Sequence, residues 1–165
     1  MNPDNAAWIV ARKDLLGDEV LEVGSMIVAG QEHIALRDSI QPLVKKFIGL
    51  DMRPGNGVDV VANAVNIPYG DDSFDSIISL DTLEHVDWPR DVIRECARVL
   101  RPGGFFFLAT VFSFPIHDYP SDYWRFTPTC LKMLVEDAGL EVYGDLTPET
   151  EGTNPMVVKV LARKP

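Results

Sequence analysis

Residues 104–111 read Gly-Phe-Phe-Phe-Leu-Ala-Thr-Val, a run without a single charged side chain. A strand with one face in water alternates apolar and polar residues, whereas a strand buried on both faces is apolar throughout. The segment therefore predicts a central strand of a sheet that helices cover on both sides.

Strand-like and helix-like patterns alternate on both sides of this segment. Further strand candidates occupy residues 20–23, 46–51, 58–62, 74–80, 140–144 and 156–162. Helical patterns follow Pro89 and Pro128, and residues 5–16 and 30–40 are further helix candidates. Such alternation is typical of parallel sheets. We expect an α/β fold with a Rossmann-like, mostly parallel seven-stranded sheet and helices on both faces.

One connection is too short for the usual crossover helix. Only residues 52–57 join the second and third strand candidates, whereas a parallel crossover normally takes a dozen residues or more. Six extended residues reach ~20 Å, which is enough to return along a five-residue strand. We therefore expect a stretched loop here.

Size and charge limit the function classes. The chain of 165 residues predicts a single domain, with an N-terminal helical segment over 1–18 and a long loop over 112–127. Its net charge of −10 repels phosphate backbones and anionic lipid, so we expect no nucleic-acid or membrane partner. With two distant cysteines, no signal-peptide pattern and no apolar run of membrane-spanning length, we expect a cytoplasmic protein.

Small and polar residues stand where the predicted strands end. In an open α/β sheet, ligands bind at these carboxyl ends, near the point where the strand order reverses. A carboxylate at the end of the second strand suits a ribose, because it can accept from both hydroxyl groups. The candidates at the strand ends are Glu22, Gly24, Ser25, Asp51, Met52, Asn63, Ala64 and Leu80.

The motifs around these residues resemble those of class I S-adenosylmethionine-dependent methyltransferases of the type-11 group. The resemblance runs from about residue 20 to 142. It is carried by EVGS (22–25), GLD (49–51), PYGDDSFDSIISLDTLEHV (68–86) and RECARVLRPGG (94–104). It implies S-adenosyl-L-methionine as the cofactor and no metal.

The resemblance also gives each strand-end residue a role. Glu22, Gly24 and Ser25 belong to the first motif, in which Gly24 and Ser25 would lie against the methionine part of the cofactor. Leu80 would reach the same part through its backbone. In the second and third strands, Asp51 would bind the ribose, Met52 would pack against the adenine, and Asn63 and Ala64 would meet the adenine edge.

The loop over 112–127 combines aromatic rings, charges and two prolines, and Pro128 follows it, at the mouth of the expected site. A lid that caps the core with Trp124 and Phe126 is one interpretation, and an acceptor pocket is the other. For the second, His117 is the candidate general base, Asp118 its substitute, and Arg125 a bidentate clamp for an acceptor carboxylate or phosphate.

These patterns together predict methyl transfer to a small-molecule acceptor, with a cell-envelope or saccharide-pathway metabolite as one candidate. A homodimer could complete the pocket. Because two glycines usual in the first motif are missing after Gly24, a methyltransferase-like binding module without catalysis stays open. A nicotinamide-dependent oxidoreductase would need a GxGxxG turn, which residues 23–28 do not supply.

Overall fold

Seven strands form one sheet in the order β3-β2-β1-β4-β5-β7-β6. The computed structural model describes residues 3–30, 36–117, 121–147 and 154–165. The strands are β1 Glu19–Val23, β2 Lys46–Asp51, β3 Val60–Val61, β4 Phe74–Leu80, β5 Leu100–Val111, β6 Glu141–Leu146 and β7 Val157–Arg163. The helices in the described residues are α1 Pro3–Val10, α2 Arg37–Ile40, α3 Pro89–Val99 and α4 Pro128–Asp137, and short 3₁₀ turns cover Lys13–Leu15, Gln41–Leu43 and Leu83–His85.

The first five strands are parallel, and β7 pairs with β5 and β6 in antiparallel fashion. The chain builds outward from β1 through β2 to β3, and then returns to place β4 on the other side of β1. The strand order therefore reverses between β1 and β4, which is where a ligand is expected in such a sheet. The predicted Rossmann-like sheet is confirmed.

Strand β5 is buried on both faces, as its apolar run predicts. Phe106 and Leu108 belong to the core shared with α3 and α4, whereas Phe107 and Ala109 belong to the core shared with α1 and the segment around α2. Alternate side chains of one strand thus fill two separate layers.

The structure differs from three local predictions. The connection after β2 contains no helix, as expected, but the third strand shrinks from 58–62 to Val60–Val61. The predicted helix over 5–16 is wrong in length: α1 ends at Val10, and the Arg12 guanidinium donates to Trp8 O (2.9 Å), which satisfies a carbonyl at the helix end. Of the predicted helix over 30–40, the described helical part is α2; residues 31–35 lie outside the described residues.

None of the described helices is long and apolar enough to cross a bilayer.

Candidate active site

The turn after β1 bends the chain over the end of β2. Gly24 has a φ of +83°, and the N–H groups of Gly24 and Ser25 both donate to Leu50 O, at 2.8 and 3.1 Å. A β-carbon on Gly24 would lie 2.0 Å from Thr82 Oγ1. The glycine is therefore required both by its backbone conformation and by a side chain from the end of β4.

The carboxylate of Asp51 is mostly buried at the end of β2. Its Oδ2 accepts from the backbone N–H of Met26 (3.3 Å), and its Oδ1 accepts from the backbone N–H of Arg53 (2.9 Å). The Arg53 Nε lies 3.6 Å from the same carboxylate. An ionised carboxylate offers about four lone-pair sites. The structure thus brings Asp51 against the segment that follows Gly24 and leaves it capacity for further hydrogen bonds.

The end of β3 lies beside Asp51. The N–H of Ala62 donates to Asp51 O (2.9 Å), and Asn63 Oδ1 accepts from Val65 N–H (3.1 Å) in a tight turn. Ala64 is buried, whereas Met52 is 57% exposed. An exposed apolar side chain next to the ribose-binding candidate is a surface on which an adenine can pack.

A polar layer lies beneath this edge of the sheet. The buried Glu22 pairs in register with Gly49, whose missing side chain makes room for Ser25 Oγ and the Arg37 guanidinium. Burial raises the pKa of Glu22 to about 8, with nearby Asp51 adding to the shift and Arg37 opposing it. Ser25 Oγ is buried and has no hydrogen-bond partner among the described residues.

A second group of side chains lies at the ends of β4 and β5. Leu80, whose predicted contact is through its backbone, has its carbonyl bonded to the Thr82 hydroxyl (3.0 Å). Glu84 is fully buried; its Oε2 accepts from Thr110 Oγ1 (2.8 Å), and burial raises its pKa to about 7. His85 Nδ1 donates to Ser121 O (2.7 Å), and burial lowers the pKa of this ring.

The loop after β5 is fixed to the turn after β4 by hydrogen bonds to backbone carbonyls of the turn. The N–H of Tyr123 donates to Glu84 O (2.7 Å), and Trp124 Nε1 donates to Val86 O (2.9 Å). Together with the bond from the His85 ring to Ser121 O, these contacts hold the loop against the turn at three points.

Within this loop, Asp122 is the central anion. Its Oδ2 accepts from the backbone N–H of His117 (2.9 Å) and lies 3.0 Å from His117 Nδ1. The Arg125 guanidinium donates to both carboxylate oxygens and thereby holds the pKa of Asp122 far below its usual range. The same guanidinium donates to three loop carbonyls, those of Phe114, Pro115 and Trp124. Its role as an acceptor clamp stays a prediction, and Asp118 lies outside the described residues.

A cleft of about 660 Å³ lies along the loop. Its lining is Phe112, Ser113, Phe114, Pro115, Ile116, Asp122, Tyr123, Trp124, Arg125 and Asn154. The strand-end residues Gly24, Asp51 and Asn63 do not line it. His117 does not line it either, but Asp122 both lines the cleft and contacts the His117 ring.

Sequence reasoning did not single out Glu84 or Thr82. Both belong to the 68–86 block, and a carboxylate next to a histidine just after a strand was the available signal for Glu84. A histidine at position 85, just after β4, can be a general base or can fix the turn, and the contact of His85 with Ser121 supports the second role.

Comparison with known proteins agrees with this geometry. Residues 22–108 match the family model described as a methyltransferase domain. The chain therefore belongs to the methyltransferase-domain family, whose fold and strand-end motifs it carries.

Curated proteins of similar sequence are named O-methyltransferases. A ubiquinone biosynthesis O-methyltransferase of Xanthomonas oryzae pv. oryzae (strain PXO99A) is 34% identical over 127 residues, and the match covers 67% of this chain and 50% of the relative. A protein of the same name from Pseudomonas putida (strain W619) is 33% identical over 129 residues, with 67% and 52% covered. The chain spans about half the length of the curated relatives it matches.

Solved structures show the same fold at low sequence identity. The YcgJ protein of Bacillus subtilis superposes with a TM-score of 0.72 at 18% identity, covering 99% of both chains. A 1,6-didemethyltoxoflavin-N1-methyltransferase of Burkholderia thailandensis, solved with S-adenosylhomocysteine bound, gives 0.71 at 18% identity, with 98% of this chain and 76% of that chain covered.

Proposed function

We propose that this chain transfers a methyl group from S-adenosylmethionine to an oxygen atom of a small, ring-containing acceptor. The observation that carries the proposal is the buried Asp51 carboxylate, which binds the backbone after Gly24 and keeps hydrogen-bonding capacity for a ribose. The family and the O-methyltransferase relatives support the reaction class. No finding supports a cell-envelope or saccharide-pathway acceptor.

The residues at the strand ends suit this cofactor. Asp51 would accept from the ribose hydroxyls, Met52 would cover one face of the adenine, and Asn63 would lie at its edge. Ser25 Oγ, buried without a partner among the described residues, is a polar atom that a ligand at the first motif could satisfy. When bound, S-adenosylmethionine supplies a methyl group on a positively charged sulfur. This sulfur is a good leaving group because it becomes neutral when the methyl group is transferred.

The aromatic loop supports a planar acceptor. Tyr123, Trp124 and Phe114 line the cleft and are each partly exposed, with 51%, 43% and 39% of their surface in water. Exposed rings on a loop fixed by backbone bonds offer faces on which an acceptor ring can stack. Binding there would place the acceptor against the loop that follows β5.

An acceptor hydroxyl must lose its proton as the oxygen–carbon bond forms. The His117 ring can take it, because Nδ1 lies next to two acceptors, Asp122 Oδ2 and Pro115 O (3.2 Å), and must therefore carry the ring proton. Nε2 of the neutral ring is then free of hydrogen and can accept. Asp122 and Arg125 act here as positioning residues that fix the orientation of the ring.

The test combines a titration with a transfer assay. Calorimetric titration with S-adenosylmethionine should show one binding site, and methyl-labelled cofactor should label catechols and phenols. Matched rings that carry an amine or a methoxy group in place of the hydroxyl should stay unlabelled. Label on the amine would contradict the oxygen acceptor, and absence of any binding heat would contradict the function.

The same titration separates the second candidate, a methyltransferase-like module without catalysis. One observation favours it: segments 25–27 and 55–57 contact each other over the end of β2, where Ile27 N–H donates to Asn56 O (2.8 Å). Cofactor binding without label transfer to any ring would favour this module over the enzyme.

A further inference from the structure

We propose that Glu84, His85 and His117 bind a divalent transition metal ion such as Zn²⁺ at the acceptor side of the site. One donor atom from each of the three lies within 4.8 Å of the others, and within the described residues they form a group with metal-binding geometry. Glu84 Oε1 lies 4.0 Å from His85 Nε2, and the two histidine rings meet edge to face with centroids 4.7 Å apart.

Hydrogen bonds at Nδ1 leave one ring nitrogen of each histidine for coordination. Their Nδ1 atoms are occupied, in His85 by Ser121 O at 2.7 Å and in His117 by Asp122 Oδ2 at 3.0 Å. A hydrogen bond from one ring nitrogen to a carbonyl or carboxylate fixes the tautomer and directs the other nitrogen to a metal. Nε2 is therefore the available ligand atom of each ring.

The third ligand has an unsatisfied oxygen. Glu84 is fully buried, and while its Oε2 accepts from Thr110, its Oε1 has no hydrogen-bond partner among the described residues. Leaving a buried acceptor unpaired is unfavourable, because the desolvation of that oxygen is not compensated. A cation at this point would supply the missing partner of Oε1.

Charges around the group favour a cation as well. Asp81 and Asp122 both act on Glu84 electrostatically, and Asp122 also contacts His117. Of the cations, Arg53 acts on His85 and Arg125 acts on Glu84. Arg125 is paired with Asp122, which offsets its charge. Two imidazoles and one carboxylate suit Zn²⁺, Co²⁺ or Fe²⁺ better than Mg²⁺ or Ca²⁺, which prefer oxygen ligands.

Three protein ligands leave a coordination position open, as in catalytic metal sites. Resting on the proposed function, we assign that position to the acceptor oxygen, whose hydroxyl proton a bound cation makes more acidic. With the ion bound, His117 Nε2 is a ligand and the proton leaves the metal-bound hydroxyl to solvent; in the metal-free chain the His117 ring takes it, as described above.

The test measures metal binding separately from catalysis. After treatment with a chelator and its removal, the full chain should bind one equivalent of Zn²⁺. With Co²⁺ it should give visible absorption bands of a nitrogen-ligated site. Glu84→Gln and His117→Ala should each weaken Zn²⁺ binding by ~10-fold or more. Glu136→Gln, an exposed residue of α4 that pairs with Lys132, should bind as the unchanged chain does.

Each outcome decides one point. Absence of stoichiometric Zn²⁺ and Co²⁺ binding, or equal binding by the unchanged chain and His117→Ala, overturns the site. His117 is part of an exposed loop and should leave the fold intact, which thermal unfolding checks. If the ion binds but methyl transfer ignores chelation, the assigned role of the open position is overturned. Titration of the metal-free chain with S-adenosylmethionine tests the proposed function independently.

Discussion

Thr82 occupies the space that a side chain on residue 24 would need. Its hydroxyl, which donates to Val23 O (3.2 Å) and Leu80 O (3.0 Å), lies 2.0 Å from the ideal β-carbon position of Gly24. The resemblance assigned this glycine to close contact with the cofactor. The structure adds a second reason for it, the contact between the ends of β1 and β4 across the reversal of strand order.

Gly24→Ala should therefore destabilise the fold even without cofactor. A φ of +83° costs a non-glycine residue about 1–3 kcal/mol, and the contact with Thr82 adds to it. Chemical denaturation of the cofactor-free chain measures the loss. Adding Thr82→Ala removes Oγ1 and Cγ2, so the double variant should recover part of the stability; additive losses would contradict the contact.

Asp51→Asn should weaken S-adenosylmethionine binding. Hydrogen bonds to a charged group are worth about 1.5–3 kcal/mol, which corresponds to ~10- to 150-fold in the dissociation constant. Calorimetric titration measures the change. Asp91→Asn, on the exposed face of α3, is the matched control, and equal affinity in both variants would remove the ribose-binding role of Asp51.

Arg53→Gln should strengthen S-adenosylmethionine binding. The Arg53 guanidinium lies beside Asp51 and competes with ribose hydroxyls for the carboxylate, and it repels a cationic sulfur. The side chain is about one third exposed, so solvent screening limits the gain to ~2- to 5-fold. S-adenosylhomocysteine, with a neutral sulfur, should gain less. A weaker binding of both ligands would instead make Arg53 part of the binding surface.

Glu22 should make stability depend on pH. In the folded chain burial raises its pKa to about 8, whereas its ordinary value is 4.5. Between these values the folded state binds more protons than the unfolded state, so the free energy of unfolding falls as pH rises. The slope from this one group approaches ~1.4 kcal/mol per pH unit.

Denaturation of Glu22→Gln from pH 5 to pH 9 tests this sign. The variant should show a flatter dependence and should be more stable than the unchanged chain above pH 8. Glu136→Gln removes one negative charge from the same chain of net charge −10, but at an exposed position. It should therefore keep the original slope. A slope unchanged in Glu22→Gln would show that this carboxyl is ionised in the folded chain.

Local pattern predicted the fold because each central strand carries its own signal. The apolar run of β5 and the helix start at Thr127, whose hydroxyl accepts from Cys130 N–H (3.1 Å), depend on neighbours in sequence. The break after Val10 was missed because it depends on where the Arg12 side chain reaches, which periodicity does not report.

The site was predictable only in part, for a similar reason. Strand ends can be counted along the chain, so Asp51 and Gly24 could be placed at one edge. The group of Glu84, His85 and His117 requires the loop after β5 to fold back on the turn after β4. That contact is made by backbone atoms such as Tyr123 N–H and Glu84 O, which carry no sequence signal.

The bonds from Tyr123 and Trp124 to the turn at residues 84–86 have a consequence for engineering and for divergence among relatives. The two segments behave as one module, although 38 positions separate Trp124 from Val86. Grafting the aromatic loop alone onto another scaffold would leave its anchoring donors without acceptors. Exchange of specificity between such enzymes therefore requires both segments to be transplanted together.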